Sequence, residues 1–120
     1  MLAERMARHK VDCWLINTGW TGGKFGTGKR CSLKYTRRIV DAVHSGELAK
    51  AEYENFGVFN LSVPTNLEGV PRELLNPQLA WADKDAFQRE VRKLAGMFHK
   101  AFALYEREVG EKVRMAGPQI

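Results

Sequence analysis

The residues with the clearest chemical potential lie in "GGKFGTGKRC", positions 22–31. Gly23, four residues, then Gly28 and Lys29 satisfy G-x-x-x-x-G-K, the spacing of a phosphate-cradling loop. That loop needs a Ser or Thr next, to place a hydroxyl on magnesium, and Arg30 stands there instead. A guanidinium cannot ligate a metal. It can stack on a base or form a fork of hydrogen bonds to ribose and phosphate. Three readings follow: a triphosphate loop without its metal ligand, a basic RNA-binding segment, or a Gly-rich loop that completes a nucleotide site whose phosphate end lies elsewhere.

Charge favours an anionic ligand. Lys24, Lys29, Arg30, Lys34, Arg37 and Arg38 fall within fifteen residues that hold no Asp or Glu. Such a cluster draws phosphates or a nucleic-acid backbone. RNA recognition also needs aromatics for base stacking, and only Phe25 and Tyr35 lie in the cluster. Thr36 is placed to reach a base edge at the start of the next element, or to cap that element.

These residues must be positioned by the elements around them. Val11–Ile16 is short, apolar and partly β-branched, which predicts a central strand. Residues 17–29 carry five glycines and read as a loop, and Cys31–Leu33 as a short extended piece. Tyr35, Ile39 and Val43 recur at i, i+4, i+8, predicting a helix over 35–45 that stops at Gly46. A Gly-rich loop between strand and helix is the context in which phosphate binds.

The remainder reads as support. Residues 1–9 predict a helix, 51–67 one or two strands, and Arg72–Leu75 a helical turn among Pro64, Pro71 and Pro77. Asp83 is placed to cap a long last helix with the stripe Phe87, Val91, Leu94, Phe98, Phe102 and Tyr105. Gly96 inside it suggests close packing, and the last five residues an extended tail. Trp20 reads as packed rather than catalytic.

The totals set limits. The chain has 120 residues, one domain's worth, with a net charge of +5. No apolar run approaches the ~20 residues of a membrane span, and the first ten lack a signal peptide's apolar centre. A cytoplasmic protein without membrane contact is the expectation. Cys13 and Cys31 form no C-x-x-C pair, and His9, His44 and His99 add no ligand spacing, so no metal site is expected.

The ordered stretches "WLINTGWTGGKFGTGKRCSLKYTRRIVDAVHSG", "VFNLSVPTNLEGVPRELLNP", "WADKDAF" and "KLAGMF", with the ending Met115, Ala116, Gly117, Pro118, resemble the C-terminal region of ATP-dependent phosphoenolpyruvate carboxykinases. The resemblance spans essentially all of the chain. It implies an α/β fold: residues 1–120 as one segment of the family's C-terminal, nucleotide-binding domain. A mixed sheet with packed helices is expected, incomplete on its own. It also implies a lyase of gluconeogenesis, which converts oxaloacetate and ATP to phosphoenolpyruvate, carbon dioxide and ADP with Mg2+ and Mn2+. Its P-loop, metal ligands and oxaloacetate-binding arginine would lie upstream, in an N-terminal region that is this segment's partner. By resemblance Arg30, Cys31 and Thr36 contact ATP on the base and ribose side, and Lys29 is a further candidate. Position 31 is often Ile or Met in the family, so Cys31 departs from the pattern. No catalytic residue and no metal ligand is expected in this segment, which would then be inactive alone. No nucleic-acid partner is expected. The alternative is a small basic nucleotide- or RNA-binding module without catalysis.

Overall fold

Residues 2–23 and 25–120 are described in a computed structural model. Lys24 of the basic cluster, and the opening Met1, lie outside the described residues.

Helix α1 spans Leu2–His9. It turns its last residue into Lys10, whose positive φ of 48 ends the helix. A short hairpin follows, β1 (Trp20–Thr21) with β2 (Lys29–Arg30), and helix α2 (Leu33–His44) comes next. A second hairpin joins β3 (Tyr53–Phe56) to β4 (Leu61–Pro64) in the register Tyr53 to Pro64 through Phe56 to Leu61. Its turn closes at Asn60, whose φ of 50 is left-handed, the region Asn tolerates better than most residues. Two single turns of helix, α3 (Arg72–Leu75) and α4 (Pro77–Ala80), lead to the long α5 (Lys84–Phe102) and the short α6 (Glu111–Met115).

The α/β character holds in a limited form: helices with two separate two-stranded antiparallel sheets. The mixed sheet expected from sequence is not formed among the described residues. Its intended central strand, Val11–Ile16, is irregular. A strand exists only by pairing its N–H and C=O groups with neighbours, and no described segment pairs with this one. Leu15 is left 89% exposed. Only Trp14 is anchored, packed on the core with its ring 6.2 Å from that of Tyr53.

One hydrophobic cluster gathers Ala42 of α2 with Leu48, Leu67 and Val70, and Tyr35, Ile39 and Val43 pack against it. The i, i+4, i+8 spacing that predicted α2 is therefore its buried face. Arg38, on the same helix, forks onto Glu47 at 2.7 and 2.8 Å and lies against Gly69. That hydrogen bond raises its pKa above the usual guanidinium value. Arg38 thus ties α2 to the segment after it and is engaged in structure rather than open to a ligand.

The second packed region runs along α5. Asp83 caps it, accepting from the Ala86 N–H at 2.8 Å as its position predicts. Phe87, Val91 and Ala95 are buried, and Phe87 meets Phe56 and Trp81 edge-on. The expected stripe leaves the core after Val91. Leu94 and Phe98 are half exposed, and Tyr105 lies beyond the helix end. Gly96 does not mark close packing, because a Cβ there would meet nothing within 4 Å. The tail folds back rather than trailing: Pro118 C=O bonds to His99 Nε2 at 2.7 Å, and Gln119 N–H donates to Val58 C=O at 2.6 Å.

Candidate functional site

The Gly-rich segment is a hairpin. Trp20 faces Arg30 and Thr21 faces Lys29 across it. Glycine is required at its neck: a Cβ on Gly28 would lie 2.5 Å from the Gly23 carbonyl oxygen and 2.7 Å from that of Thr21. Gly22, with φ of 76, brings the turn against α4, where a Cβ would stand 3.1 Å from the Ala80 carbonyl oxygen. Sequence reasoning placed a loop over 17–29 and missed both strands. Two-residue strands carry no periodicity, and the repeated glycines were the one available signal of close backbone approach.

This geometry separates the segment from a phosphate-cradling loop. In that motif the lysine leads straight into a helix, whose first N–H groups surround the phosphate. Here Lys29 lies in a strand, and α2 begins four residues later at Leu33. The extended piece expected at Cys31–Leu33 is shifted: Lys29 and Arg30 form the strand, and Leu33 is already helical.

The structure brings Cys31 and Thr36 together. Cys31 continues the hairpin, its N–H donating to Gly19 C=O at 2.9 Å. Gly19 is itself held by Asn17, whose Oδ1 accepts its N–H at 2.9 Å. The Cys31 thiol then lies 3.9 Å from Thr36 Oγ1, half buried. Thr36 does not cap α2. Ser32 holds the N-cap position, and Thr36 sits one turn inside with its N–H on Ser32 C=O at 3.3 Å. Its hydroxyl is therefore not needed for capping.

Arg30 and Lys29 part company. Successive strand side chains leave on opposite faces, so Arg30 shares the Trp20 face and Lys29 the Thr21 face. Both are exposed. Trp20 is not packed in a core as expected. It is 47% exposed, and among the described residues its ring neighbour is Phe25, edge-on with centroids 5.0 Å apart.

Two clefts lie away from the hairpin. One, of about 390 Å³, opens between α5 and the tail at Phe98, His99 and Pro118. The other, of about 320 Å³, lies between β3 and α5 at Glu54, Asn76 and Gln88. Neither is lined by Arg30, Cys31 or Thr36; these stand on the wall formed by the hairpin and the first turn of α2, Arg30 exposed and the other two half-buried. Among the described residues no group of three or more His, Cys, Asp or Glu side chains could hold a metal ion. None of the described helices is long and apolar enough to cross a membrane.

Comparison with known proteins gives this wall a context. Residues 1–73 match the family described as phosphoenolpyruvate carboxykinase. The chain is 56% identical over 122 aligned positions to a phosphoenolpyruvate carboxykinase (ATP) of Neurospora crassa, covering 100% of this chain and 20% of that protein. It is 53% identical to the enzyme of that name from Candida glabrata and 49% to that from Bradyrhizobium diazoefficiens, again over all of this chain and 22% of each relative. The chain thus spans about a fifth of the length of the curated relatives it matches. A match over more than half of its residues, with about half of all positions identical along its whole length, places the chain in the phosphoenolpyruvate carboxykinase family.

Proposed function

We propose that these residues work as one wall of the ATP site of an ATP-dependent phosphoenolpyruvate carboxykinase, on the base and ribose side, within a polypeptide as long as the relatives. The segment corresponds to the C-terminal part of the nucleotide-binding domain. The complete enzyme acts in the cytoplasm on oxaloacetate and ATP. Decarboxylation breaks a C–C bond and leaves the enolate of pyruvate, and its oxygen takes the γ-phosphoryl of ATP. The bond to the β-phosphate breaks and ADP leaves. Such chemistry depends chiefly on positioning and charge neutralisation.

The share of this chain is positioning. Arg30 supplies a planar cation for the base or ribose. Thr36 offers a hydroxyl free of any capping duty. Cys31 supplies a small, soft, half-buried surface beside it. Lys29 leaves the other face of the hairpin and is the weaker candidate. The divalent metal that the family implies finds no donor set among the described residues. Its ligands, and the phosphate cradle, are assigned to the rest of the polypeptide.

The observation that carries this reading is the meeting of Cys31 and Thr36 at 3.9 Å, at the junction of a glycine-locked hairpin with a helix, directly after Arg30. The test is Arg30→Ala in the full-length enzyme. The KM for ATP should rise about tenfold or more, the worth of a charged hydrogen bond, while the KM for oxaloacetate stays within about twofold. An unchanged KM for ATP would sink the reading. The 120-residue chain alone should form no phosphoenolpyruvate.

A further inference from the structure

We propose that Trp20 is a positioning residue for Arg30: its indole, braced by Phe25, holds the guanidinium flat toward the purine base of the nucleotide. This rests on the ATP-wall reading above and adds a residue to it.

The argument starts from the ladder. Trp20 and Arg30 are directly opposed in an antiparallel pair. The Cys31 N–H donates to Gly19 C=O at 2.9 Å, one residue outside that pair on both strands. In an antiparallel ladder a bond at that place brackets a pair that exchanges no hydrogen bonds of its own. Those are the pairs in which the backbones come closest and same-face side chains crowd together. The indole and the guanidinium therefore leave the hairpin side by side on one face. A guanidinium beside an indole is attracted to its π-face and stacks on it, more strongly than on other aromatic rings.

The surroundings fit this use. Trp20 belongs to neither packed region of the molecule. Phe25 meets it edge-on, at 82° and 5.0 Å, a favoured aromatic arrangement that braces the indole from one side. Both rings are exposed, Phe25 by 82%. The hairpin that carries them is locked at Gly28, where no side chain fits between the Gly23 and Thr21 carbonyls. A long arginine loses much rotamer freedom when it must hold one pose for a ligand. An adjoining ring braced in advance reduces that loss.

The test uses the full-length enzyme that carries these residues, with W20L, W20F, R30A and the W20L/R30A double variant. W20L should raise the KM for ATP about five- to tenfold, within the range of a cation–π contact, with the KM for oxaloacetate within about twofold. W20F, which keeps a ring, should recover most of the loss. The double variant should bind ATP no worse than R30A, because Trp20 acts through Arg30. With 5-fluorotryptophan incorporated, the ¹⁹F resonance missing from W20F should move when ATP is added. An unmoved resonance overturns the proposal even where W20L fails to fold. So does a W20L enzyme that melts earlier with an unchanged KM for ATP, since Trp20 then only packs. If R30A itself leaves the KM for ATP unchanged, the ATP-wall reading falls, and this inference with it. If R30A raises it and W20L does not, only the role of Trp20 falls.

Discussion

The Cys31 thiol stands 3.9 Å from the Thr36 hydroxyl, across the junction where the hairpin gives way to helix α2. The helix is entered through Ser32, so the Thr36 hydroxyl has no capping duty, while the Cys31 thiol also lies 3.8 Å from the Ser32 C=O and the Cys31 N–H is held by Gly19. Thr36→Val keeps shape and β-branching and removes only the hydroxyl. The melting temperature should stay within about 2 °C, as for a substitution outside core and cap. The KM for ATP in the full-length enzyme should rise about two- to tenfold, one neutral hydrogen bond's worth. Steady-state kinetics with ATP varied checks it. A large drop in melting temperature with unchanged kinetics would make Thr36 structural.

Gly28→Ala tests the hairpin lock. The new Cβ would sit 2.5 Å from one carbonyl oxygen and 2.7 Å from another, both backbone, so neither can swing aside. The hairpin must open, at about 1–3 kcal/mol, the usual range for overpacking. Because Lys29, Arg30 and Cys31 follow directly, ATP affinity should fall more than oxaloacetate affinity. Isothermal titration with ATP, set beside thermal melts, measures both effects. An alanine accepted without loss of either would mean that the neck is looser than its carbonyl spacing indicates.

Where the sequence was legible, the signal was local. Tyr35, Ile39 and Val43 drew the buried face of α2, and Asp83 fixed the start of α5 to the residue. One or two strands over 51–67 were visible as alternation, and Arg72–Leu75 as a turn between prolines; that β3 and β4 pair as a hairpin around a turn at 57–60 was not. Where it was not, the outcome depended on a partner. Val11–Ile16 has the composition of a central strand, but a strand needs neighbours, and the described residues offer none. Leu94 and Phe98 continue the stripe of α5 into partial exposure: Leu94 is 45% exposed, and Phe98, 52% exposed, is met edge-on by Phe59 at 5.9 Å. The site divides in the same way. Arg30, Cys31 and Thr36 are proposed as the site from the family resemblance, and the structure adds only their placement. That Arg30 is paired with Trp20 and turned from Lys29 needed the register. The register follows from backbone bonds that no side-chain pattern announces.

Tyr53 gives a pH prediction. Its hydroxyl donates to Leu48 C=O at 2.7 Å, and burial pushes the phenol up from its ordinary value near 10. A folded pKa above the unfolded one means that the contribution is complete below the unfolded value. It is lost as pH rises through the folded value, where the phenolate can no longer donate. Stability should therefore hold through neutral pH and decline above about pH 10. Tyr53→Phe should lower stability by about 1 kcal/mol at neutral pH and flatten that alkaline decline. Urea melts from pH 7 to 11 measure both, and an unaltered alkaline limb in the variant would assign the decline to other groups.

The exposed residues Val11, Leu15 and Ile16 bear on how the chain would meet the rest of the longer polypeptide proposed for it. Trp14 packs on the core while Val11, Leu15 and Ile16 beside it in sequence are exposed by 54%, 89% and 38%. Large apolar side chains exposed within one short segment are a place for another chain segment to cover. Covering a leucine is worth about 1.5–3 kcal/mol. Leu15→Lys should therefore have opposite effects in two settings. In the isolated 120-residue chain it should reduce self-association, read by sedimentation velocity. In the full-length enzyme it should lower the melting temperature, because the lysine takes the place of a buried leucine. Each result is informative without the other. A soluble, monodisperse isolated chain before mutation would show that the patch does not drive association. A full-length enzyme indifferent to Lys at position 15 would leave Leu15 on an outer surface, and the strand its sequence suggests would be absent from the complete fold as well.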